Sequence, residues 1–271
     1  MTKVILITGA SSGIGYYAAL RLAGQGHRVY GAARRMELLE QLRERGVVPV
    51  RMDVTDEASM EDGVNRIIDA EGRIDVLINN AGYGYMGAIE NVPIAEAKRQ
   101  LEVNLFGLAR LTQMVLPYMR KQGSGRIINT SSVAGKAVIM FGGWYNVSKF
   151  SVEALSDALR MELKPFGIDV SIIEPGGIKT DWGIIASDNL ETSSSGTAYE
   201  NAGLRMARLL KRGYTSEFLT NPDRIAKAIA RAANARHPKV RYRLGAGSGL
   251  IVILHAVLPA RWWDALMRIF S

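Results

Sequence analysis

Two side chains in the stretch GGWYNVSK, residues 142–149, could do chemistry together: the phenol of Tyr145 and the ammonium of Lys149. On a helix, residues four apart are neighbours, with about 5–6 Å between their Cβ atoms. A free phenol has a pKa of about 10, too high to exchange protons readily near neutrality. A neighbouring cation favours the phenolate and so lowers that pKa. Such tuning brings the group toward the range that a general acid and base needs. Tyr-x-x-x-Lys also arises by chance, so the pair gains meaning only from its surroundings.

A second candidate is TGASSGIG, residues 8–15, directly after the apolar run KVILIT. In an open parallel sheet, ligands bind outside the carboxyl ends of the strands. There Gly9 permits a tight turn, Gly13 lets backbone approach a pyrophosphate, and Gly15 allows a helix to pack closely on a strand. The helix start supplies free N–H groups and partial positive charge. The spacing is G-x3-G-x-G rather than the common G-x-G-x-x-G, so the turn alone leaves a structural role open. About twenty residues beyond the glycines, where an acid would hold a ribose 2′-hydroxyl, the chain reads Ala33-Arg34-Arg35. Guanidinium groups clasp phosphate oxygens bidentately, which suits the 2′-phosphate of NADP(H) over NAD(H). Two surface arginines opening a helix are the plainer alternative.

The elements that must position these residues alternate along the chain. Strands are expected at Lys3–Thr8, His27–Ala33, Val47–Asp53, Ile74–Asn79, Gly125–Thr130, Ile168–Glu174 and Val240–Leu244. Helices are expected at Gly13–Gln25, Met36–Arg45, Asp56–Glu71, Ala95–Lys121, Tyr145–Lys164, around Gly203–Arg212, and Asp223–Ala235. The strands are apolar without polar alternation, as in strands covered on both faces. Strands separated by helices give right-handed crossovers and a doubly wound parallel α/β sheet of Rossmann type. No linker divides the chain, so residues 1–271 are expected to form one domain. The polar segment Ser187–Ala202 is expected to be mobile rather than part of the core.

Composition narrows the chemistry. The 271 residues include no cysteine, which excludes disulfides, thiolate metal sites and a cysteine nucleophile. His27, His237 and His255 share no ligand spacing, so no metal is expected. The apolar run Leu250–Leu258 is far short of the roughly 20 residues of a membrane span, and a cytoplasmic protein is expected. Net charge is +8, but Gly203–Ser271 alone holds 13 Lys/Arg against 3 Asp/Glu. Such asymmetry fits an anionic partner, or simply a solvated basic face.

As a set, these motifs resemble the classical short-chain dehydrogenase/reductase family. TGASSGIG resembles its cofactor turn, Asn79-Asn80-Ala81-Gly82 its NNAG element, and Val103–Gly107 (VNLFG) its helical asparagine motif. Ser131-Ser132 follow a strand, with Tyr145-x-x-x-Lys149 beginning 13 positions after Ser132; Pro175-Gly176 with Thr180 resembles P-G-x3-T. The likeness runs from about Val4 to Thr180 in family order. It implies hydride transfer between C4 of a nicotinamide and a carbonyl or alcohol carbon. It implies Tyr145 as general acid/base, Ser132 holding the substrate oxygen, and Lys149 holding the nicotinamide ribose. Asn104 would kink its helix and place a water that relays protons to Lys149. The cofactor-binding residues implied are Gly9, Ser11, Ser12, Gly13, Ile14, Gly15, Arg34, Arg35, Asp53, Val54, Asn80, Ala81, Gly82, Tyr145, Lys149, Pro175, Gly176, Ile178 and Thr180. Some members place Lys or Arg where Ser12 stands, so Arg34 would carry most of the 2′-phosphate recognition, with Arg35 assisting. Homodimers or homotetramers, built through the two long helices, are also implied.

Val138, Met140, Phe141 and Trp144 near the catalytic helix, with Tyr83, Tyr85, Met86 and Trp182 opposite, suggest a hydrophobic carbonyl or alcohol substrate. Steroid-, retinoid- and lipid-like molecules fit, and ordinary core packing is the alternative. Residues 181–215 would form the substrate loop, with Gly183–Ala202 as its lid. The apolar, basic segment 245–271 would pack on a subunit or roof the pocket, or else make peripheral contact with a membrane. Rival readings are an idle NADP(H)-binding sensor and an epimerase or dehydratase on the same fold. No nucleic-acid motif is present, so no such partner is expected.

Overall fold

The computed structural model describes residues 1–216 and 219–269. Seven parallel strands form one sheet in the order β3-β2-β1-β4-β5-β6-β7. They are β1 (Val4–Thr8), β2 (Arg28–Ala33), β3 (Val47–Arg51), β4 (Val76–Asn79), β5 (Gly125–Thr130), β6 (Ile168–Pro175) and β7 (Arg241–Leu244). Every residue of β1 is buried. Ile5 and Ile7 join one core with α1 (Gly13–Ala23) and α9 (Pro222–Asn234). Leu6 faces the opposite core, with α3 (Glu57–Glu71) and α5 (Gly107–Gln122). Alternate side chains thus feed two helical layers, which is why the strands read as continuously apolar. Strand order reverses between β1 and β4, and ligands of such sheets bind at that switch point.

Two expected helices are broken. In place of one helix over Met36–Arg45 there is a short α2 (Met36–Glu40) and a 3-10 turn (Arg43–Arg45), closed by Gly46 at φ 80°. The long helix expected over Ala95–Lys121 is α4 (Ile94–Leu101), a π-helical turn (Glu102–Phe106) and α5. Asn104 is the buried residue of that turn, and π turns mark places where a helix departs from its regular ladder.

The segment expected to be mobile is regular. Trp182–Ser194 forms α7, and Glu200–Thr215 forms α8. Ala186, Ser187, Leu190 and Ser194 of α7 are buried. A Cβ at Gly203 of α8 would overlap the Ser194 side chain, so the two helices approach closely. Small residues make this contact, which is why the segment reads as polar while packing as core. The helix α6 (Gly143–Leu163) carries Tyr145 and Lys149. The tail forms α10 (Ser248–Val257) and α11 (Ala260–Arg268), with Ser271 and Phe270 outside the described residues. Among the described residues, no helix is long and apolar enough to cross a membrane.

Candidate active site

The glycine turn is shaped as a cradle. Gly9 and Gly13 have φ of 68° and 55°, the left-handed region that a side chain disfavours. A Cβ at Gly15 would overlap the carbonyl oxygen of Gly9. Ser12 precedes α1 with no side-chain cap, so the backbone donors of the first turn are not taken by it. Thr180 touches the same turn, 3.4 Å from where a Gly13 Cβ would lie. Asn80 braces it from β4, its Nδ2 donating to the carbonyl of Thr8 at 3.1 Å. Its neighbours Ala81 and Gly82 continue the same strand end, and the Ala81 N–H donates to Thr8 Oγ1 at 3.1 Å.

Beside the turn is a cleft of about 370 Å³ lined by Arg34, Asp53, Thr55, Lys98, Arg99, Glu102 and Val103. Arg34 is therefore joined by two cations of α4 that sequence reasoning missed. Asp53 accepts from the backbone and hydroxyl of Thr55 at 3.0 and 2.8 Å. Arg35 donates to Ser11 Oγ at 3.3 Å, which ties the second strand end to the glycine turn. A cradle of free helical donors beside a cationic cleft fits a dinucleotide phosphate.

Ser132, Tyr145 and Lys149 converge where β5 ends. Tyr145 lies in the first turn of α6, and Lys149 follows one turn on; both are buried. Ser132 begins the 3-10 turn Val133–Gly135, accepts from the Ala134 N–H at 3.1 Å, and hydrogen-bonds the Tyr145 phenol. Ser131 points away, toward the Lys149 carbonyl at 3.4 Å. Lys149 Nζ donates to the Thr130 carbonyl at 2.9 Å and lies 5.8 Å from the Tyr145 ring centroid. Asn104 binds both backbone groups of Tyr83 and donates to Ser148 Oγ at 3.1 Å. Gly82 lets Asn104 and Lys149 approach: its Cβ would sit 3.1 Å from Asn104 Oδ1 and 3.6 Å from Lys149 Nζ.

Electrostatics here correct a sequence expectation. Lys149 was expected to lower the phenol pKa, yet burial pushes Tyr145 up to about 12, opposed by the Ser132 hydrogen bond. Burial also pulls Lys149 down to about 8, opposed by the charge of Glu153 one turn further along α6. Desolvation is the largest effect on both groups because neither faces water. The result is a phenol held in its proton-donating form.

Around Tyr145, Met86, Phe141, Ala186, Leu190 and Ala207 form a buried cluster, with Met140 and Trp182 packed against it. Phe141 holds φ 59°, a strained backbone for a bulky residue, in the loop that leads into α6. Val138, expected in the pocket, is instead exposed, and its carbonyl accepts from Trp263 Nε1 at 3.0 Å. That bond places α11 beside the catalytic loop of its own chain.

Residues 3–189 match the short chain dehydrogenase family. The chain belongs to the short-chain dehydrogenase/reductase family. It is 38% identical to a probable short-chain type dehydrogenase/reductase, VdlC, of Helicobacter pylori, over 97% of this chain and 96% of that one. It is 37% identical to a 3-ketodihydrosphingosine reductase of Bacteroides thetaiotaomicron, over 99% and 97%. A short-chain dehydrogenase structure from Streptomyces avermitilis superposes with a TM-score of 0.82 at 30% identity, covering 98% and 97%. Other members of the fold have been solved with NADPH, in an actinorhodin polyketide ketoreductase, and with NAD, in a Burkholderia phymatum reductase. This chain is an oxidoreductase that uses a nicotinamide cofactor.

The lowered Lys149 pKa carries a sign. Between about pH 8 and pH 10.5 the unfolded chain holds a proton on this lysine that the folded chain has released, so stability rises with pH there. Below that window the buried ammonium costs on the order of 3 kcal/mol. Lys149→Met is therefore expected to raise the melting temperature at pH 7, and that advantage should shrink as pH rises through the window. An advantage that stays constant with pH in thermal unfolding scans would contradict the burial of this charge.

Proposed function

We propose that the protein is a cytoplasmic NADP(H)-dependent reductase of hydrophobic, lipid-like carbonyl compounds, with Tyr145 as general acid. The observation that carries this reading is the convergence of Ser132, the buried Tyr145 phenol and Lys149 at the strand ends, beside the phosphate cradle. The cofactor, when bound, supplies a hydride to the carbonyl carbon. Ser132 donates to the carbonyl oxygen and sets its angle. Tyr145 then gives its proton to the developing alkoxide, and the product is the alcohol. The phenolate left behind is stabilised by the Lys149 ammonium and by the positive end of α6, in whose first turn it sits. Asn104 stands at the π turn, where it would hold a water passing protons toward Lys149.

For cofactor choice, Arg34 with Lys98 and Arg99 supports a 2′-phosphate, since three cations face two carboxylates in that cleft. Pro175, Gly176 and Ile178 lie at the end of β6, where they would border the nicotinamide. The apolar cluster around Tyr145 supports a hydrophobic substrate. Exposed Phe106, Val147, Phe150 and Met161 on the two long helical stretches support a homodimer or homotetramer built through those faces. Exposed Leu250, Ile253, Val257 and Trp262, with Arg261 beside them, support peripheral contact of α10 and α11 with an anionic bilayer.

Tyr145→Phe is expected to reduce carbonyl turnover by about 10²–10⁴-fold while NADPH still binds, as judged by nicotinamide fluorescence. Retained turnover would remove Tyr145 from the chemistry. In the unmodified enzyme NADPH should outperform NADH, and Arg34→Asp should narrow or reverse that order. Equal use of both by the parent would defeat the 2′-phosphate reading. The protein should sediment with phosphatidylglycerol vesicles and not with phosphatidylcholine ones; failure to bind either leaves α10 and α11 without a membrane.

A further inference from the structure

The space above the Tyr145 ring is occupied by the chain itself. Trp182, the first residue of α7, stacks at a tilt on Tyr145 with ring centroids 5.0 Å apart. Tyr214, near the end of α8, backs the same indole at 5.9 Å. Two glycines make room for this pair. A Cβ at Gly84 would overlap the Trp182 indole, and a Cβ at Gly183 would overlap the Tyr214 ring. The indole is thus wedged between the segment after β4 and the catalytic phenol, with a second phenol behind it. Tyr214 is half-buried, and desolvation of its hydroxyl pushes its pKa above the ordinary tyrosine range.

We propose that Trp182 and Tyr214 determine which substrates reach Tyr145, admitting slender unbranched aliphatic carbonyls and rejecting rigid polycyclic ones. This rests on Tyr145 being the proton donor. A carbonyl must reach the phenol hydroxyl, and the indole packs on the ring that carries it. A flexible chain can bend past a displaced indole and follow the apolar side chains of Met86, Leu190 and Phe141. A rigid ring system needs the whole volume of the aromatic pair at once. Trp182 is also two residues past Thr180, which touches the glycine turn. The gate is therefore anchored at the edge of the phosphate cradle.

The test compares kcat/KM with NADPH for decanal, 2-decanone and a steroid 17-ketone in the parent, Trp182→Ala, Trp182→Phe and Tyr214→Ala. The parent should favour the aliphatic substrates over the steroid. Trp182→Ala should raise the steroid-to-decanal ratio by about tenfold or more, comparable to what one or two methylene-sized changes in a pocket achieve. Trp182→Phe should fall between, and Tyr214→Ala should shift the ratio in the same direction by freeing the indole. Ratios within about twofold of the parent in both alanine variants, each still binding NADPH, would overturn the proposal. So would a parent that prefers the steroid. Should one alanine variant fail to bind NADPH, the phenylalanine variant and the other alanine variant decide. A binding readout stands beside turnover: 2-decanone should quench the tryptophan fluorescence of the parent more than that of Trp182→Phe, and equal quenching counts against displacement of the indole. Full turnover by Tyr145→Phe on decanal would instead defeat the acid/base reading and leave the gate to be judged on binding alone.

Discussion

A phenol and an ammonium one turn apart on a single helix, both withdrawn from water, are the constraint on which the rest of the structure depends. Burial alone would push each toward neutrality. Neutral phenol is the useful form for reduction, whereas neutral lysine is not, since its charge must receive the phenolate that proton donation leaves. The fold answers this asymmetry on the lysine side. Thr130 O accepts from Lys149 Nζ, and Glu153 places a carboxylate one turn further along the same face.

Glu153 is itself held by a network that reaches across the sheet edge. Lys136 and Arg241 pair with it at 2.9 and 3.0 Å. Arg241 also bonds Asp157 at 2.6 Å and approaches Glu174 at 3.1 Å, while Arg243 bonds Glu174 at 2.7 Å. Glu174 is fully buried and precedes Pro175, whose carbonyl faces Ser132 at 3.4 Å. One chain of ion pairs thus links β7, the end of β6, and the helix that carries Tyr145. Buried pairs of this kind contribute little net stability, because desolvation offsets their attraction. What they fix is position: the catalytic loop and α6 keep one geometry relative to the strand ends. The basic residues of the last quarter are therefore divided between this interior network and the protein surface.

Much of this was legible in the residues. Continuous apolar strands, helix-stopping glycines and the turn after β1 gave the parallel sheet and a binding turn at the end of its first strand, while the strand order and its switch point come from the structure. Tyr145 and Lys149 stood out by their four-residue spacing, and the choice of Ser132 over Ser131 came with the family resemblance; the carboxylate of Glu153 beside Lys149 was not among the expected features. What escaped was contact between distant segments. Tyr214 meets Trp182 only because α7 and α8 pack through Ser194 and Gly203, small residues that carry no hydrophobic signal. Lys98 and Arg99 of α4 line the Arg34 cleft although they lie far from Arg34 along the chain. The sign of the Tyr145 shift was missed for the same reason: adjacency to a cation can be read from four-residue spacing, while the depth of burial depends on helices more than 30 residues away in sequence.

Burial, rather than the lysine cation, sets the proton affinity of Tyr145 in the nucleotide-free protein. A difference titration of phenolate absorbance between the parent and Tyr145→Phe, both free of nucleotide, isolates this one hydroxyl. The account predicts no Tyr145 phenolate up to about pH 11, with ionisation centred near the value of about 12 that burial imposes. A phenolate signal that develops at or below the ordinary tyrosine value of about 10 would contradict it.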